Sequence, residues 1–334
     1  MAKRWRKWLR MSMLAAGLAL FLVLLVVGSV VGWRLTRPPV AVRLGYPANA
    51  KLLIVNADDG AMCDSANAAV WQGMQEGQIT SSTLMVPCPA FAAAAEFAVL
   101  HPELDFGVHL THTSEWKTHR WGPVPPKEEV PGLLDPTGCL WSHVEGENGV
   151  YAHSTPGEAA REARAQIRAA LAAGIDITHL DSHMGTMQYD PGYFLRYIWL
   201  GREFDLPLRM PSRELLAKHH AAFLRTIVRA FDIVCPDDLL LGEGRKQGQT
   251  AKEYWLGRLR QLKPGITELY IHPALDTDEM RGITGSWQWR NGEFRAFLND
   301  PDIQAALREE GIILIGYREL RDLQRGVAPG RPMK

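Results

Sequence analysis

The chain has 334 residues, 46% hydrophobic and 22% charged, which excludes a disordered chain and fits one large α/β domain or two smaller ones. Its formal charge of zero hides an asymmetry. The first 40 residues hold seven basic residues and no acid, leaving 30 basic against 37 acidic residues in 41–334. A body of that sign disfavours a phosphate backbone as partner, so no nucleic acid is expected. Four scattered cysteines (Cys63, Cys88, Cys139, Cys235) make neither a disulfide scaffold nor a CxxC zinc module.

In chain order, a basic stub over 1–10 precedes Met11–Trp33, a 23-residue run without charge. At about 1.5 Å per residue such a helix spans a bilayer core of about 30 Å. Five basic residues lie before it and two after, which predicts a single-pass anchor with a cytoplasmic N-terminus. The remainder is then extracytoplasmic, periplasmic in a Gram-negative cell. A cleaved signal peptide is the rival reading, but the apolar run is too long and no small-x-small site stands out near Gly28. Residues 34–50 read as a juxtamembrane linker.

From residue 51 to 325 the chain reads as repeated strand-then-helix units. Apolar runs of strand length occur at Leu52–Val55, Ile79–Val86, Leu104–Leu110, Ile175–Leu180, Leu206–Met210, Asp232–Val234, Ile266–Ile271 and Ile312–Ile315. Helical patterns follow several of them, over Ser65–Glu76, Ala90–Leu100, Thr155–Ala173 and Tyr193–Glu203. Thr155, Pro156 and Glu158 form a predicted capping box with proline at the first helical position. Alternation at this period predicts parallel strands with helical crossovers, and seven or eight strands fit a closed or slightly irregular barrel. Thr113–Tyr151, dense in Pro, Gly and Trp, is long for a loop and predicts a small cap over the site. Residues 326–334 read as a tail.

Chemistry in a βα barrel sits at the C-terminal strand ends. Four ends here carry residues suited to a metal. Asp58-Asp59 follows the first strand, and adjacent carboxylates repel unless a cation is near; the plain alternative is a helix cap. In Gly107–Thr113, alternation places His109, Thr111 and Thr113 on one face and His112 on the other. The same alternation aligns His179, Asp181 and His183. His272 ends a fourth strand before Pro273. Two imidazoles and a carboxylate leave coordination positions open for activating water or polarising a carbonyl. Zinc suits imidazole best, and magnesium is not excluded by ligand type.

The segments Leu53–Gly60, Gly77–Thr83, Gly107–Thr111, Thr178–His183, Glu268–Pro273 and Tyr317–Leu320 resemble, in order and spacing, the YdjC-like (ChbG-type) carbohydrate deacetylase family. The resemblance runs from about residue 51 to 323. It implies an irregular TIM-like (β/α)7-8 barrel and metal-dependent removal of acetyl from an N-acetylated amino sugar. It further implies one divalent ion (Zn2+ or Mg2+) on Asp59, His109 and His183, with Asp58 as base and His272 on the leaving-group side. His179 and Asp181 are expected behind the ligands, and Arg209 against a polar substrate group. Trp116, Trp121, Trp141, Trp287 and Trp289 are candidates for stacking on sugars. Met184-Gly185-Thr186-Met187 stands where the family often has further histidines, and Gly60-Ala61 where Phe-Gly is common. These departures bear on substrate more than on reaction. The expected substrate is an oligosaccharide, an envelope glycan or a glycolipid; the sequence leaves the oligomeric state open. A glycosidase, a metal-dependent phosphoesterase and an inactive sugar-binding protein are the alternatives. A glycosidase needs two carboxylates at least about 5 Å apart across a sugar, which adjacent Asp58 and Asp59 do not obviously supply.

Overall fold

The computed structural model describes residues 25–242 and 244–327. Helical residues 25–36 (α1) lead through Pro38-Pro39 into α2 (Val40–Arg43). Strand and helix then alternate: β1 (Lys51–Gly60), α3 (Asp64–Glu76), β2 (Ser81–Leu84), α4 (Phe91–Leu100) and β3 (Phe106–Leu110). After the long insertion come α5 (Val150–His153), α6 (Pro156–Ala172), β4 (Ile177–Ser182), α7 (Pro191–Glu203), α8 (Arg213–Lys218), α9 (Phe223–Ala230) and β5 (Asp238–Leu240). The chain closes with α10 (Ala251–Leu259), β6 (Gly265–Ile271), α11 (Asp278–Ile283), α12 (Trp287–Asn299), α13 (Pro301–Glu309), β7 (Ile312–Leu314) and α14 (Tyr317–Gln324).

All described ladders are parallel, and the seven strands run in the order β4-β3-β2-β1-β6-β5, with β7 beside the start of β1. β1 is central: β6 lines one edge, while β7 and then β2 share the other. That position explains its apolar first half, since a strand covered on both faces has no solvent side to keep polar. α6 begins on the predicted box, Thr155 accepting from Glu158 N–H with Pro156 in the first turn. α7 begins two residues before the predicted Tyr193, because Asp190 caps it and Pro191 opens it.

The fold is α/β with a curled parallel sheet. Where the sequence predicts a fuller, barrel-like ring, the regular ladder is open between β4 and β5. The apolar runs 206–210 and 232–234 cross that gap through single bonds. Leu180 N–H donates to Pro207 O, Arg209 N–H to Leu180 O, and Leu208 N–H to Val234 O. Pro207, Pro211 and Pro236 lack the amide donors that a continuous ladder needs.

Residues 113–151 form a cap whose buried Trp121, Val130, Leu133 and Leu140 are continuous with the main hydrophobic core. It is tied to α6 by Val124 N–H donating to Glu162. At the other end of the sheet α2 is packed in: Ala41 and Leu44 are buried with Leu52, Ile54, Ile266 and Tyr317. Residues 11–24 of the predicted membrane span, and 328–334 of the predicted tail, lie outside the described residues. Among the described residues no helix is long and apolar enough to cross a membrane.

Candidate active site

In a regular strand Asp58 and Asp59 would point to opposite faces. The register of β1 against β2 slips between Ala57 and Gly60, and Asp59 (φ 61°) and Ala61 (φ 70°) adopt left-handed backbone. This irregularity turns both carboxylates into one cleft of about 340 Å³. Left-handed conformation is costly for residues with a Cβ and clusters at functional sites. Gly60 between them is required by close approach, since a Cβ there would lie 2.8 Å from Leu84 and 3.0 Å from the Thr83 carbonyl.

His109 from β3 and His183 after β4 converge on Asp59. His109 Nε2 is 3.4 Å and His183 Nδ1 3.3 Å from Asp59 Oδ1, and the two ring nitrogens are 3.2 Å apart. Asp59 Oδ1 is buried without a hydrogen-bond partner, while Oδ2 accepts from Arg290 Nη2 at 2.8 Å. The donor atoms of Asp59, His109 and His183 all lie within 4.8 Å of one another. The far nitrogen of each imidazole meets a carboxylate: His109 Nδ1 is 2.6 Å from Asp181, and His183 Nε2 is 3.0 Å from Glu115. Such contacts fix the ring orientation of metal-ligating histidines.

Burial works against charge on both rings. For His109 the Asp181 carboxylate, with Asp58 and Asp59 beyond it, overrides burial and lifts the imidazole to about 10. For His183 the Glu115 and Asp59 carboxylates do the same, to about 9. Burial would also raise Asp59, but Arg290, His272 and the two facing imidazoles hold it well below the carboxylate range. The carboxylates around the two rings thus draw in protons or cations. An orphaned carboxylate oxygen facing two imidazole nitrogens fits a divalent ion of borderline softness.

A second grouping, Asp58, His109 and Asp181, has donor atoms equally close together. Here a cation is built in. Arg209 gives Nη1 and Nη2 to Asp58 at 2.7 and 2.6 Å, lies 3.0 Å from Asp181, and gives Nε to Glu268 at 2.8 Å. The guanidinium that the sequence reading places against substrate is therefore engaged by three buried carboxylates. Against the cost of burial it holds Asp58 at about 2. Burial outweighs it at Glu268, pushed up to about 7. His179 lies deeper, stacked on Tyr317 with ring centroids 3.6 Å apart, and offers nothing to the cleft. Gly107 makes room for its ring, since a Cβ there would come within 2.6 Å of it. His112 faces the other way, bonded to Ala159 O of α6.

His272 lines the cleft with Asp58, Asp59 and Arg290. Burial, joined by Arg290, holds its imidazole down at about 4, with Asp59 and Asp58 pulling the other way. Cys63 is buried, and burial pushes its thiol up to about 12, so it is no nucleophile. Of the tryptophans, Trp116 reaches His183 and Arg290, at 6.3 and 5.9 Å, and Trp289 lines the adjoining recess with His272. Trp121 is buried in the cap, Trp141 stacks on His153, and Trp287 lies under Arg281.

Sequence reasoning does not reach Glu115 or Arg290. Extending the His109-Thr111-Thr113 alternation by one step finds Glu115. Nothing local marks Arg290, which arrives from α12, 231 residues beyond Asp59.

A curled parallel sheet with an Asp-His-His centre at its strand ends defines a class that comparison makes specific. Residues 52–309 match the model of the YdjC-like protein family, and the chain belongs to that family. It is 31% identical over 271 residues to a carbohydrate deacetylase of Geobacillus stearothermophilus, covering 81% of this chain and 98% of that one. It is 28% identical to a carbohydrate deacetylase of Enterococcus faecalis, with 81% and 98% covered. A crystal structure from Enterococcus faecalis, described as that of a candidate cellobiose-phosphate cleavage protein, superposes with a TM-score of 0.70. That pair shares 28% identity over 81% of this chain and 99% of that one.

Proposed function

We propose that this chain removes the acetyl group from an N-acetylated amino sugar, using one divalent ion held by Asp59, His109 and His183. The chain is a carbohydrate deacetylase and so a hydrolase; the carbon–nitrogen bond is our own assignment. The observation that carries the metal assignment is the Asp59 Oδ1 atom, buried and unpartnered between two imidazole nitrogens. A divalent ion there supplies carbonyl polarisation and acidifies a water. Two imidazoles favour zinc over magnesium.

The chain's own residues handle the protons. Asp58 is an anion at neutral pH, oriented by Arg209 and by Asn56 Nδ2 at 2.8 Å. A carboxylate has about four acceptor sites, and three are used, so one remains to take a proton from the attacking water. As the carbon–oxygen bond forms and the carbon–nitrogen bond breaks, the leaving amine needs a proton, and we assign its delivery to His272. That ring is neutral at rest, so its proton arrives during turnover, and the site itself releases one from water. Trp116 and Trp289 flank the cleft as stacking surfaces for sugar rings.

We assign the apolar run 11–33 as a single-pass anchor with the catalytic domain extracytoplasmic. α2, which follows it, packs on the first residues of β1 and β6, whereas the site lies at the far end of β1. Ten strand residues span about 30 Å. A glycan standing clear of the bilayer therefore suits the cleft better than a lipid headgroup.

The test is acetate release from chitooligosaccharides and other N-acetyl amino sugars, read beside metal stoichiometry, for Asp58→Asn and Asp59→Asn. Asp58→Asn should keep its metal and lose about 10²–10⁴ in rate. Asp59→Asn should lose metal affinity first, with activity partly restored by excess metal. Metal loss in the first with retention in the second inverts the roles. No rate defect in either sinks the mechanism.

A further inference from the structure

Four arginines meet beside α2, in a pocket that shares no lining residue with the cleft. Arg43 of α2, Arg213 of α8, and Arg225 and Arg229 of α9 line a pocket of about 310 Å³. Asp237 is the one carboxylate in its wall, and its Oδ2 already accepts from Ile266 N–H at 3.0 Å. Arg225 is fixed by the carbonyls of Met210, Pro211 and Pro236, at 3.2, 2.9 and 2.9 Å. Arg229 donates to the carbonyls of Arg34 and Arg37. Those partners are neutral, so they orient the two guanidinium groups and leave their charge in place. Arg43 and Arg213 have no ion pair among the described residues. Burial and the neighbouring Arg37 and Arg229, opposed by Asp232, lower the proton affinity of Arg43. Such crowding is relieved by an anion.

This concentration of positive charge stands on a body with 30 basic and 37 acidic residues after position 40. Its place in the chain gives it meaning. The pocket adjoins Pro38-Pro39, directly after the uncharged run that ends at Trp33. Trp33 is 61% exposed with Arg37 stacked over it at 4.0 Å, and Phe223, which opens α9, is 59% exposed. Exposed aromatics beside arginines at the end of an apolar helix are the composition of a bilayer interface. Guanidinium groups bind phosphate oxygens in bidentate fashion. The pocket has the size of a headgroup, whereas a nucleic acid would face the acidic remainder of the body.

We propose that this pocket binds the phosphodiester headgroup of an anionic phospholipid and so docks the membrane-proximal face of the domain onto the bilayer. The proposal rests on the extracytoplasmic single-pass reading, and docking would hold the deacetylase cleft pointing away from the membrane.

The experiment uses the full chain in a nonionic detergent, with native mass spectrometry and thermal unfolding as readouts. The probes are dioctanoyl phosphatidylglycerol, dioctanoyl phosphatidylcholine and inorganic phosphate. Phosphatidylglycerol should bind and raise the unfolding midpoint, and phosphatidylcholine should do neither. The double variant Arg43→Glu, Arg213→Glu should weaken phosphatidylglycerol binding by at least about 10-fold. Arg168→Glu, an equal charge change on the exposed face of α6, should leave it unchanged. Acetate release from a soluble substrate should persist in the double variant and so report an intact fold. Equal binding of both lipids, or undiminished binding in the double variant, overturns the proposal. Inorganic phosphate binding as tightly as phosphatidylglycerol makes this a free-phosphate pocket and overturns the lipid assignment. Carbonate extraction of cell membranes tests the anchor separately. Release of the wild type by carbonate refutes the anchor, while the detergent titration still decides the pocket.

Discussion

Two clusters of buried charge share His109 and lie side by side in the sheet, and they are balanced in opposite ways. In one, Arg209 is ringed by Asp58, Asp181 and Glu268, so the cation is part of the chain. In the other, Asp59, His109 and His183 bring a carboxylate and two imidazoles together, and Arg290 reaches one oxygen while the second has no partner. Both avoid the cost of isolated buried charge, the first with Arg209 of the chain and the second with Arg290 on one carboxylate oxygen and, on the function proposed above, a divalent ion at the other. Arg209 should therefore respond to mutation as a structural element, and the second cluster as a binding site.

The largest effect expected is on rate. Asp59→Ala, His109→Ala and His183→Ala should each lose bound metal and slow acetate release by more than about 10³-fold, the several kcal/mol that a metal supplies. Circular dichroism should remain that of the wild type, because these residues stand at strand ends. Chelation should reproduce the loss and added metal should reverse it. Full metal occupancy in all three variants would show that the ion, if any, sits elsewhere.

Arg209→Met should do the reverse. It leaves three buried carboxylates without their cation, and breaking a buried pair typically costs about 3–5 kcal/mol. The defect should appear in denaturant midpoints and shrink as pH falls, because protonated carboxyls no longer need the arginine. Arg209 holds Asp58 at about 2 in the wild type, so this relief should come at a higher pH in the variant. A variant as stable as the wild type at pH 7 would remove the distinction between the clusters.

Much of this organisation is legible in the sequence, and the part that is not has identifiable causes. β1, β3, β4 and β6 show as apolar runs ending in Asp or His, because one local pattern encodes both the buried strand and its polar end. The helix at Pro156 shows because its cap is local. β5 escapes notice: it has three residues, begins on an aspartate two residues after Pro236, and gains its place from pairing with β6. The open ladder near Leu208 is equally hidden, since an apolar run looks the same whether it makes one bridge or five. The proposed ligand set is readable as strand ends, but its balance of charge is not. Arg290 and Arg209 reach Asp59 and Asp58 across 231 and 151 residues, and no periodicity reports such a meeting.

Glu115 sharpens the comparison at smaller scale. It comes from the cap and approaches His183 Nε2, while Asp181 does the same for His109 from within the sheet. As a positioning residue it should affect affinity more than fold. Glu115→Gln should weaken metal binding by about 10–100-fold in a chelator competition, with the unfolding midpoint of the metal-free protein unchanged. Unaltered affinity would mean that the cap covers the site without tuning it.

Glu162 supplies the third way of holding a buried carboxylate, with hydrogen bonds alone. It is buried, accepts from Val124 N–H and from Gln166 Nε2 at 2.8 Å, and no cation touches it among the described residues. Burial pushes it up to about 7, those hydrogen bonds opposing. A carboxyl whose folded value lies above its ordinary 4.5 binds its proton more tightly when folded. Its stabilising contribution is complete below about pH 4.5 and is lost as pH rises through 7. Glu162→Gln cannot ionise, so its stability relative to the wild type should rise between pH 5 and 8, by about 1–3 kcal/mol. Other groups titrate in that range in both proteins, so the difference between the two urea midpoints is the quantity to follow. Parallel curves would mean that Glu162 is already ionised when folded. Hydrogen bonds from Val124 and Gln166 would then suffice to hold a buried anion, and the need for Arg209 at one cluster and the proposed metal at the other would have to rest on the closeness of their carboxylates rather than on burial.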